Sequence, residues 1–253
     1  MISIKNLTKS FGKKRVLNGV SFNACDGETL VIVGSSGTGK SILLKNIVGL
    51  IKATSGSVII DGIDITKCSG QQLRDTQKNL GYVFQEAALF DSLTVEENVA
   101  FGLHNLSALS KRDIQNKVID CLAMVGLKNV EKLKPSELSG GMKKRVAIAR
   151  TIAYGPKYIF YDEPTTGLDP IMSDIISDLI IYLRDKLKVT SLVVSHDMKS
   201  AYKIADRIIM LYKGNLVFEG TPAEVDKTDN AIVRQFVSGS SQGPIEAERT
   251  FQL

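Results

Sequence analysis

One stretch of the sequence limits the possible folds more than any other: GSSGTGKS, which follows the apolar run LVIV and precedes ILLKNIVGL. The stretch satisfies the pattern G-x-x-x-x-G-K-[ST], and its flanks predict the strand and the helix that this pattern requires. Backbone N–H groups of such a loop wrap phosphates, its lysine meets the β- and γ-oxygens, and its last hydroxyl ligates Mg²⁺. We therefore expect a nucleoside triphosphate here, and adenine is favoured because no guanine-reading N-K-x-D motif follows. The residues of this loop are Gly34, Ser35, Ser36, Gly37, Thr38, Gly39, Lys40 and Ser41.

The composition is that of a globular chain that can bury a core, with 253 residues of which 43% are hydrophobic and 23% charged. Three scattered cysteines, never in C-x-x-C spacing, favour a reducing cytosol over disulfides or structural zinc. No apolar run approaches the ~18 residues that span a bilayer, and the N-terminus lacks a signal-peptide pattern. We expect a chain that is neither inserted nor exported by itself. The net charge of +5 comes from dispersed lysines, so no nucleic-acid partner is expected.

Hydrophobic patterning divides the chain into a strand-rich part and a helical insert. Residues 1–85 and 157–237 alternate between strand-like runs and helices, whereas residues 86–156 are helical in character. Both parts together predict one α/β domain over residues 1–237. Residues 238–253 begin with SGSSQG and predict a flexible C-terminal tail.

Two helices can be placed from their spacing. A capping-box pattern at Ser110 predicts the start of one helix, and Gly126 predicts its end. Three apolar residues of this helix are expected to share one face. A second amphipathic helix follows the strand YIFYD, and its apolar face is also expected to carry three residues. The predicted buried residues are Ile114, Val118 and Leu122 in the first helix, and Ile175, Leu179 and Leu183 in the second.

The run YIFYDEP supplies two carboxylates at the end of a predicted strand. Asp162 is placed to hold Mg²⁺ through water, and Glu163 follows directly. Successive side chains on a strand point to opposite faces, but at a strand end the chain can turn and bring both toward the phosphates. Glu163 is therefore the candidate general base for an attacking water. The alternative is an Asp-Glu pair on the surface without a role, and the presence of a phosphate loop in the same chain argues against it.

Three further residues are candidates by position alone. His196 ends the strand-like run TSLVVS, at the sheet edge where α/β proteins bind ligands, and it could contact the γ-phosphate or the attacking water. The alternative is a histidine whose hydrogen bonds only stabilise the fold. Gln85 follows the run GYVF and could sense Mg²⁺ or water, although a lone Gln is usually polar surface. Phe11 could stack on a purine ring or could belong to the core.

A second phosphate-binding pattern, LSGGMKKRVA, lies about a hundred residues after the first. Its hydroxyl and glycines let backbone N–H groups converge at the start of a helix, which is the geometry of an anion site. The residues concerned are Ser139, Gly140 and Gly141. They lie in the predicted helical insert, whereas the first phosphate loop lies outside it.

These motifs together resemble those of the ATP-binding subunits of ABC transporters, in family order and over most of the chain. The matching elements are Phe11 at the adenine-stacking position, the phosphate loop, Gln85, LSGGM, YIFYDEP, the turn GLD that ends at Asp169, and His196. One departure is Met142, where the family usually has Gln, and its thioether cannot donate the hydrogen bond that the amide could. The resemblance implies a P-loop NTPase (RecA-like) core with an antiparallel β subdomain and an inserted α-helical subdomain.

The resemblance also implies the cofactors and the assembly. ATP and Mg²⁺ are the expected cofactors, with Ser41, Gln85 and Asp162 toward the metal and Glu163, His196 and Gln85 in catalysis. Two subunits would sandwich two ATP molecules head to tail, so that LSGG of one subunit completes the site of the other, and Asp169 is also expected to bind the nucleotide. A second phosphate-binding device makes sense if it serves a neighbour's nucleotide.

The stretch QEAALFDSLTVEENVAFGL and the LSGGM variant are most similar to Mla-type ATPases, which move phospholipids between bacterial membranes. That resemblance implies separate transmembrane permease subunits, lipid-binding accessory subunits, and a peripheral position on the cytoplasmic face of the inner membrane. The alternatives are transport of another substrate, such as an amino acid or an organic solvent, and a soluble ABC ATPase that takes no part in transport.

Overall fold

The computed structural model describes residues 1–106 and 109–245. Its strands form two sheets. The strands are β1 (Ile2–Phe11), β2 (Lys14–Ala24), β3 (Thr29–Val33), β4 (Ser55–Ile60), β5 (Ile63–Asp64), β6 (Leu80–Val83), β7 (Tyr158–Asp162), β8 (Thr190–Ser195), β9 (Arg207–Tyr212) and β10 (Asn215–Gly220). The larger sheet has the order β10-β9-β3-β8-β7-β6, and the smaller has the order β2-β1-β4-β5.

The helices flank these sheets. They are α1 (Lys40–Ile47), α2 (Gly70–Gln77), α3 (Val95–Leu106), α4 (Lys111–Met124), α5 (Gly140–Ile152), α6 (Pro170–Leu187), α7 (Met198–Ile204), α8 (Pro222–Lys227) and α9 (Ala231–Ser238), with a 3₁₀ turn at Pro135–Glu137. None of the helices in the described part of the chain combines the length and the apolarity needed to cross a bilayer.

The larger sheet brings the ends of its central strands together. β3, β7 and β8 are parallel and fully buried, which explains their continuous apolar sequences. The register sets Val33 opposite Ser195 and Asp162 opposite Val194. Because β3 leads into the phosphate loop, the loop, the carboxylates after β7 and His196 after β8 share one sheet edge. That edge is where parallel sheets bind ligands.

The smaller, antiparallel sheet packs over the first helix. One apolar cluster contains residues of β1, β2 and β4, the buried side of α1, and one face of the larger sheet. Leu43 and Leu44 of α1 are fully buried in that cluster. The phosphate loop is thereby fixed between two sheets through the helix that follows it.

The helical insert has its own packing. α3, α4 and α5 contact one another and join the main core through apolar side chains. Ser110 caps α4, with its Oγ accepting from the Asp113 amide at 3.2 Å, and Ile114, Val118 and Leu122 are buried as predicted. Because α5 begins at Gly140, LSGG lies at the start of this helix, inside the insert.

The predicted apolar face of the helix after YIFYD is wrong at one position. Ile175 is 42% exposed, whereas Ile176, Leu179, Ile180 and Leu183 are buried in α6. The buried positions follow the spacing i, i+3, i+4 and i+7, which turns the face by one residue from the predicted set.

The end of the described chain folds back on α9. The Gln235 side chain accepts from the Ile245 amide at 2.6 Å and donates to the carbonyls of Ser240 and Ile245. The Tyr212 hydroxyl donates to the Pro244 carbonyl at 3.0 Å. Ser238 is the last residue of α9, and the rest of the predicted tail, residues 246–253, lies outside the described residues.

Candidate active site

The phosphate loop depends on glycines at its closest approaches. Gly34 has φ +148°, and a Cβ there would collide with the carbonyl oxygen of Leu211. Gly39, with φ +102°, lies against Val16, where a Cβ would come within 3.0 Å of a side-chain carbon. At Gly34 any other residue would require the backbone to move, and at Gly39 the positive φ and the close neighbours disfavour a side chain. The sequence of the loop therefore fixes its curvature.

Lys40 begins α1 and its ammonium group turns back into the loop. Nζ donates to the carbonyls of Gly34 at 2.7 Å and Ser35 at 3.1 Å, and lies 3.5 Å from Oε1 of Glu163. Burial lowers the pKa of Lys40, and the nearby carboxylates of Glu163 and Asp162 act in the opposite direction. The loop thus holds a positive charge at the centre of its own concave face.

Asp162 is held by two hydroxyl groups. Ser41 Oγ donates to Oδ1 at 2.6 Å, and the Tyr82 hydroxyl donates to Oδ2 at 2.8 Å. Burial and the negative charge of Asp162 raise the pKa of Tyr82 well above its usual range, so the phenol stays a donor. The structure brings together Ser41 and Asp162, two of the three residues that the sequence assigns to the metal. Tyr82 was not predicted, because nothing in a single run of residues links it to Asp162.

Glu163 occupies an unusual backbone position. Its φ is +52°, a value that non-glycine residues seldom adopt, and its amide donates to the Val194 carbonyl at 3.0 Å. This turn lets the carboxylate follow that of Asp162 to the same edge, as expected for a strand end. Oε2 lies 2.6 Å from Nδ1 of His196 and accepts from the Thr166 hydroxyl at 3.1 Å. Glu163 is 8% exposed, so its carboxylate has a fixed orientation.

A cleft of about 350 Å³ joins these groups. It is lined by Val16, Ser36, Gly37, Gly39, Lys40, Ser41, Ile42, Gln85, Glu163, Thr166 and His196. The predicted Gln85 and His196 thus face the same cleft as the phosphate loop.

Phe11 does not line this cleft. Its ring is 47% exposed at the end of β1, and the Lys9 ammonium lies 4.6 Å from the ring centroid. The ring is therefore not part of the core, which removes the alternative considered from the sequence. Val16, an unpredicted residue, is an apolar side chain that lines the cleft and lies against Gly39, and an isolated valine carries no signal of such a role.

Ser139, Gly140 and Gly141 lie apart from this cleft. Ser139 caps α5, with Oγ accepting from the Met142 amide at 3.3 Å. A Cβ at Gly141 would collide with Cε of Met172 in the first turn of α6. The structure groups these residues with the start of α6, and none of them lines the cleft of the phosphate loop.

Asp169 and Met142 complete this second region. Asp169 caps α6 and accepts from the amides of Ile171 and Met172, each at 3.0 Å. The Met142 side chain is half-buried and packs against the apolar cluster that the helical insert shares with the main core. An apolar thioether suits that packing, so the departure from the usual Gln has a structural explanation.

Two cations of α5 hold the backbone around Gln85. Lys144 Nζ donates to the Gln85 carbonyl, and the Arg150 guanidinium donates to the carbonyls of Ala87 at 2.8 Å and Ala88 at 2.6 Å. Both alanines have positive φ, and Lys144 is buried. Sequence analysis gave neither cation a role, since basic residues on a helix normally indicate a solvated face.

Residues 17–166 match the family described as ABC transporter. This match covers more than half of the chain and includes the phosphate loop, LSGG and both carboxylates. The chain belongs to the ABC transporter family. It is an ATP-binding subunit of that family, whose cassettes hydrolyse ATP, and the resemblance seen in the sequence is confirmed.

Two relatives and one solved structure resemble the chain along most of its length. The Arabidopsis thaliana chloroplast protein TRIGALACTOSYLDIACYLGLYCEROL 3 is 43% identical, over 97% of this chain and 75% of the relative. The intermembrane phospholipid transport system ATP-binding protein MlaF of Haemophilus influenzae is 38% identical, over 97% and 93%. A dimeric, ADP- and Pi-bound structure of the ATP-binding cassette MJ0796 has a TM-score of 0.81 and 35% identity, over 88% of this chain and 99% of that one. This likeness confirms the expected P-loop NTPase fold with its β and helical subdomains.

Proposed function

We propose that this chain is the ATP-hydrolysing motor of a transporter that moves phospholipid between bacterial membranes, working through separate permease subunits. The geometry that supports hydrolysis is the buried Glu163 carboxylate, set between Lys40 and His196 at the floor of the cleft. The lipid cargo is supported by the similarity to MlaF, which extends over 97% of this chain.

ATP is the expected nucleotide in the cleft, with its phosphates in the concave face of the loop. Amides of the loop and the start of α1 donate to the phosphate oxygens, and the partial positive charge of the helix N-terminus favours them. Lys40 exchanges its bonds to the carbonyls of Gly34 and Ser35 for bonds to the β- and γ-oxygens.

The residues Ser41 and Asp162 fit Mg²⁺. Asp162 is a carboxylate 3% exposed that is bound by hydroxyl groups, and no ion pair within the described residues neutralises it. Hydroxyl and carboxylate oxygens are the ligands that Mg²⁺ takes beside nucleotide phosphates. The described residues contain no group of three or more His, Cys, Asp or Glu that could hold a metal alone. When bound, Mg²⁺ would neutralise phosphate charge, and Gln85, which lines the cleft, is the third residue proposed to help hold it.

Glu163 is the proposed general base. Its carboxylate takes a proton from the water that attacks the γ-phosphorus, while His196 and Thr166 hold its Oε2 in one orientation. His196 is half-exposed and lines the cleft, which supports a contact with the γ-phosphate. The left-handed backbone at Glu163 brings the carboxylate to this position.

A head-to-tail homodimer is the proposed active assembly. The start of α5, with Ser139 at its N-cap, has the amides and dipole of an anion site but does not line the cleft of its own subunit. In a dimer, Ser139, Gly140 and Gly141 would meet the γ-phosphate held by the partner's loop, with Asp169 beside them. The dimeric state of the MJ0796 cassette supports this arrangement.

The permease subunits are proposed to be separate membrane-spanning chains, with lipid-binding accessory subunits. The motor would lie peripherally on the cytoplasmic face of the inner membrane. In this arrangement, closure of the dimer on ATP and its separation after hydrolysis drive the attached permease.

Reconstitution tests this proposal. The tagged chain is purified with its membrane subunits from its host and placed in lipid vesicles, and ATP-dependent transfer of labelled phospholipid to acceptor vesicles is measured. Transfer that stops with Glu163→Gln supports the proposal. ATP-dependent uptake of an amino acid without lipid transfer would establish the alternative cargo, and ATPase activity without any membrane partner would establish a soluble ATPase.

A further inference from the structure

The two carboxylate oxygens of Asp162 accept hydrogen bonds from two different elements. Oδ1 accepts from Ser41 of α1, and Oδ2 accepts from Tyr82 of β6. Only the first of these partners belongs to the phosphate loop. The second belongs to a strand that contributes no residue to the loop.

The sheet register explains why Tyr82 reaches this carboxylate. Tyr82 is paired with Phe160 on β7, two residues before Asp162. Side chains two apart on a strand share a face, so Tyr82, Phe160 and Asp162 all lie on the side covered by α1. A tyrosine spans the diagonal distance to Asp162, and its ring also packs against Phe84 with centroids 4.5 Å apart. The hydroxyl is thus delivered by a side chain that packing holds in place.

We propose that Tyr82 is a positioning residue for the divalent cation that accompanies ATP. Its hydroxyl fixes the rotation of the Asp162 carboxylate, so that Oδ1 stays beside Ser41, where these two residues would hold the metal. This inference rests on the proposed Mg²⁺–ATP site and adds a residue that contacts neither metal nor nucleotide. Loss of a hydrogen bond that orients a metal-side carboxylate typically weakens metal binding by about 10- to 100-fold.

The chain offers a matched control at Tyr154. Its hydroxyl donates to the Leu80 carbonyl at 3.0 Å, on the same strand as Tyr82, and both tyrosines are half-buried. Each of the substitutions Tyr154→Phe and Tyr82→Phe removes one phenol hydroxyl and its hydrogen bond. Only Tyr82→Phe changes a bond to Asp162.

The experiment uses the full chain with Mn²⁺ as a paramagnetic probe. Mn²⁺ affinity in the presence of a non-hydrolysable ATP analogue is measured by electron paramagnetic resonance, and metal-free ATP binding is measured in EDTA. We expect Tyr82→Phe to weaken Mn²⁺ binding about 10-fold or more relative to Tyr154→Phe, with metal-free ATP binding equal in the two variants. Equal Mn²⁺ affinities in the two variants would overturn the proposal.

Two further outcomes separate this inference from the function on which it rests. Loss of metal-free ATP binding in Tyr82→Phe, together with loss of Mn²⁺ binding, would show a general structural role and would also overturn the proposal. If Ser41→Ala and Asp162→Asn leave Mn²⁺ affinity unchanged, the proposed metal site itself is wrong. If Ser41→Ala and Asp162→Asn weaken Mn²⁺ binding but Tyr82→Phe does not, only the role of Tyr82 is rejected.

Discussion

Nδ1 of His196 lies 2.6 Å from Oε2 of Glu163, which joins the end of β8 to the residue after β7. The same carboxylate has Lys40 Nζ 3.5 Å from its other oxygen. A buried carboxylate between these groups cannot rotate freely. The orientation that a general base needs is thus present in the single subunit before the γ-phosphate and the attacking water are bound.

Glu163→Gln is expected to retain ATP binding and to lose turnover by about 10²-fold or more, because the amide keeps the shape but cannot accept the proton. ATP hydrolysis is measured by phosphate release and binding by equilibrium titration. The variant should also accumulate an ATP-bound dimer in size-exclusion chromatography. Glu131→Gln, in the helical insert and outside the cleft, is the matched control. Hydrolysis by Glu163→Gln near the wild-type rate would remove Glu163 from this role.

Sequence alone placed the groups that act through short motifs. The phosphate loop, Asp162 and Glu163 are recognisable because the spacing within each motif is fixed by local backbone geometry. His196 could be placed because strand ends in a parallel sheet meet at one edge. These residues come together in the structure at that edge.

Contacts between distant parts of the chain could not be predicted in the same way. Tyr82 and Asp162 are 80 residues apart, and their bond depends on the pairing of β6 with β7. The packing of Gly141 on Met172 depends on how α5 meets α6. Ile175 was assigned to the buried face because the periodicity of an apolar-rich helix defines the face only to within about one residue. Tertiary packing decides such cases.

The three cysteines are expected to react with a thiol reagent at different rates. Cys25 is exposed, Cys68 is half-buried, and Cys121 is buried in the helical insert, where burial raises its pKa to about 11. The thiolate is the reactive form, so a raised pKa means less thiolate at any pH below it. At pH 8, mass spectrometry of the labelled native chain should show Cys25 modified first and Cys121 last.

The same reaction in denaturant is the control, since all three thiols should then react at similar rates. In the native chain, the rate at Cys121 should rise with pH until about 11 if the fold remains intact. Fast labelling of native Cys121 at pH 8 would contradict the packing of α4 against α3 and α5.

Lys40→Ala is expected to fail at nucleotide binding or at placement of the phosphates, because it removes the fixed positive charge at the β- and γ-oxygens. The measurement is the dissociation constant for ATP, together with the rate of hydrolysis. Lys45→Ala on the same helix does not change a cleft residue and is the control. Normal binding and normal turnover in Lys40→Ala would show that GSSGTGKS is not the catalytic loop.

Ser139→Arg is expected to leave ATP binding by the single subunit unchanged and to block both hydrolysis and ATP-driven dimerisation. The reason is that Ser139 does not line its own cleft, whereas in the proposed dimer a bulky cation there occupies the space of the partner's γ-phosphate. Binding is measured by titration, dimerisation by light scattering, and hydrolysis by phosphate release. Loss of ATP binding by the Ser139→Arg monomer would contradict this separation of the two regions.

Mixing Ser139→Arg with Lys40→Ala tests the sharing of sites between subunits. Each variant alone is expected to be inactive, since both sites of either homodimer carry a defect. In the mixed dimer, one composite site combines the altered Lys40 position of one subunit with the altered Ser139 position of the other. The second site then has a normal loop and a normal LSGG. Partial ATPase activity restored by mixing, with mixed dimers verified by cross-linking, supports the head-to-tail arrangement; no recovery at any ratio counts against it.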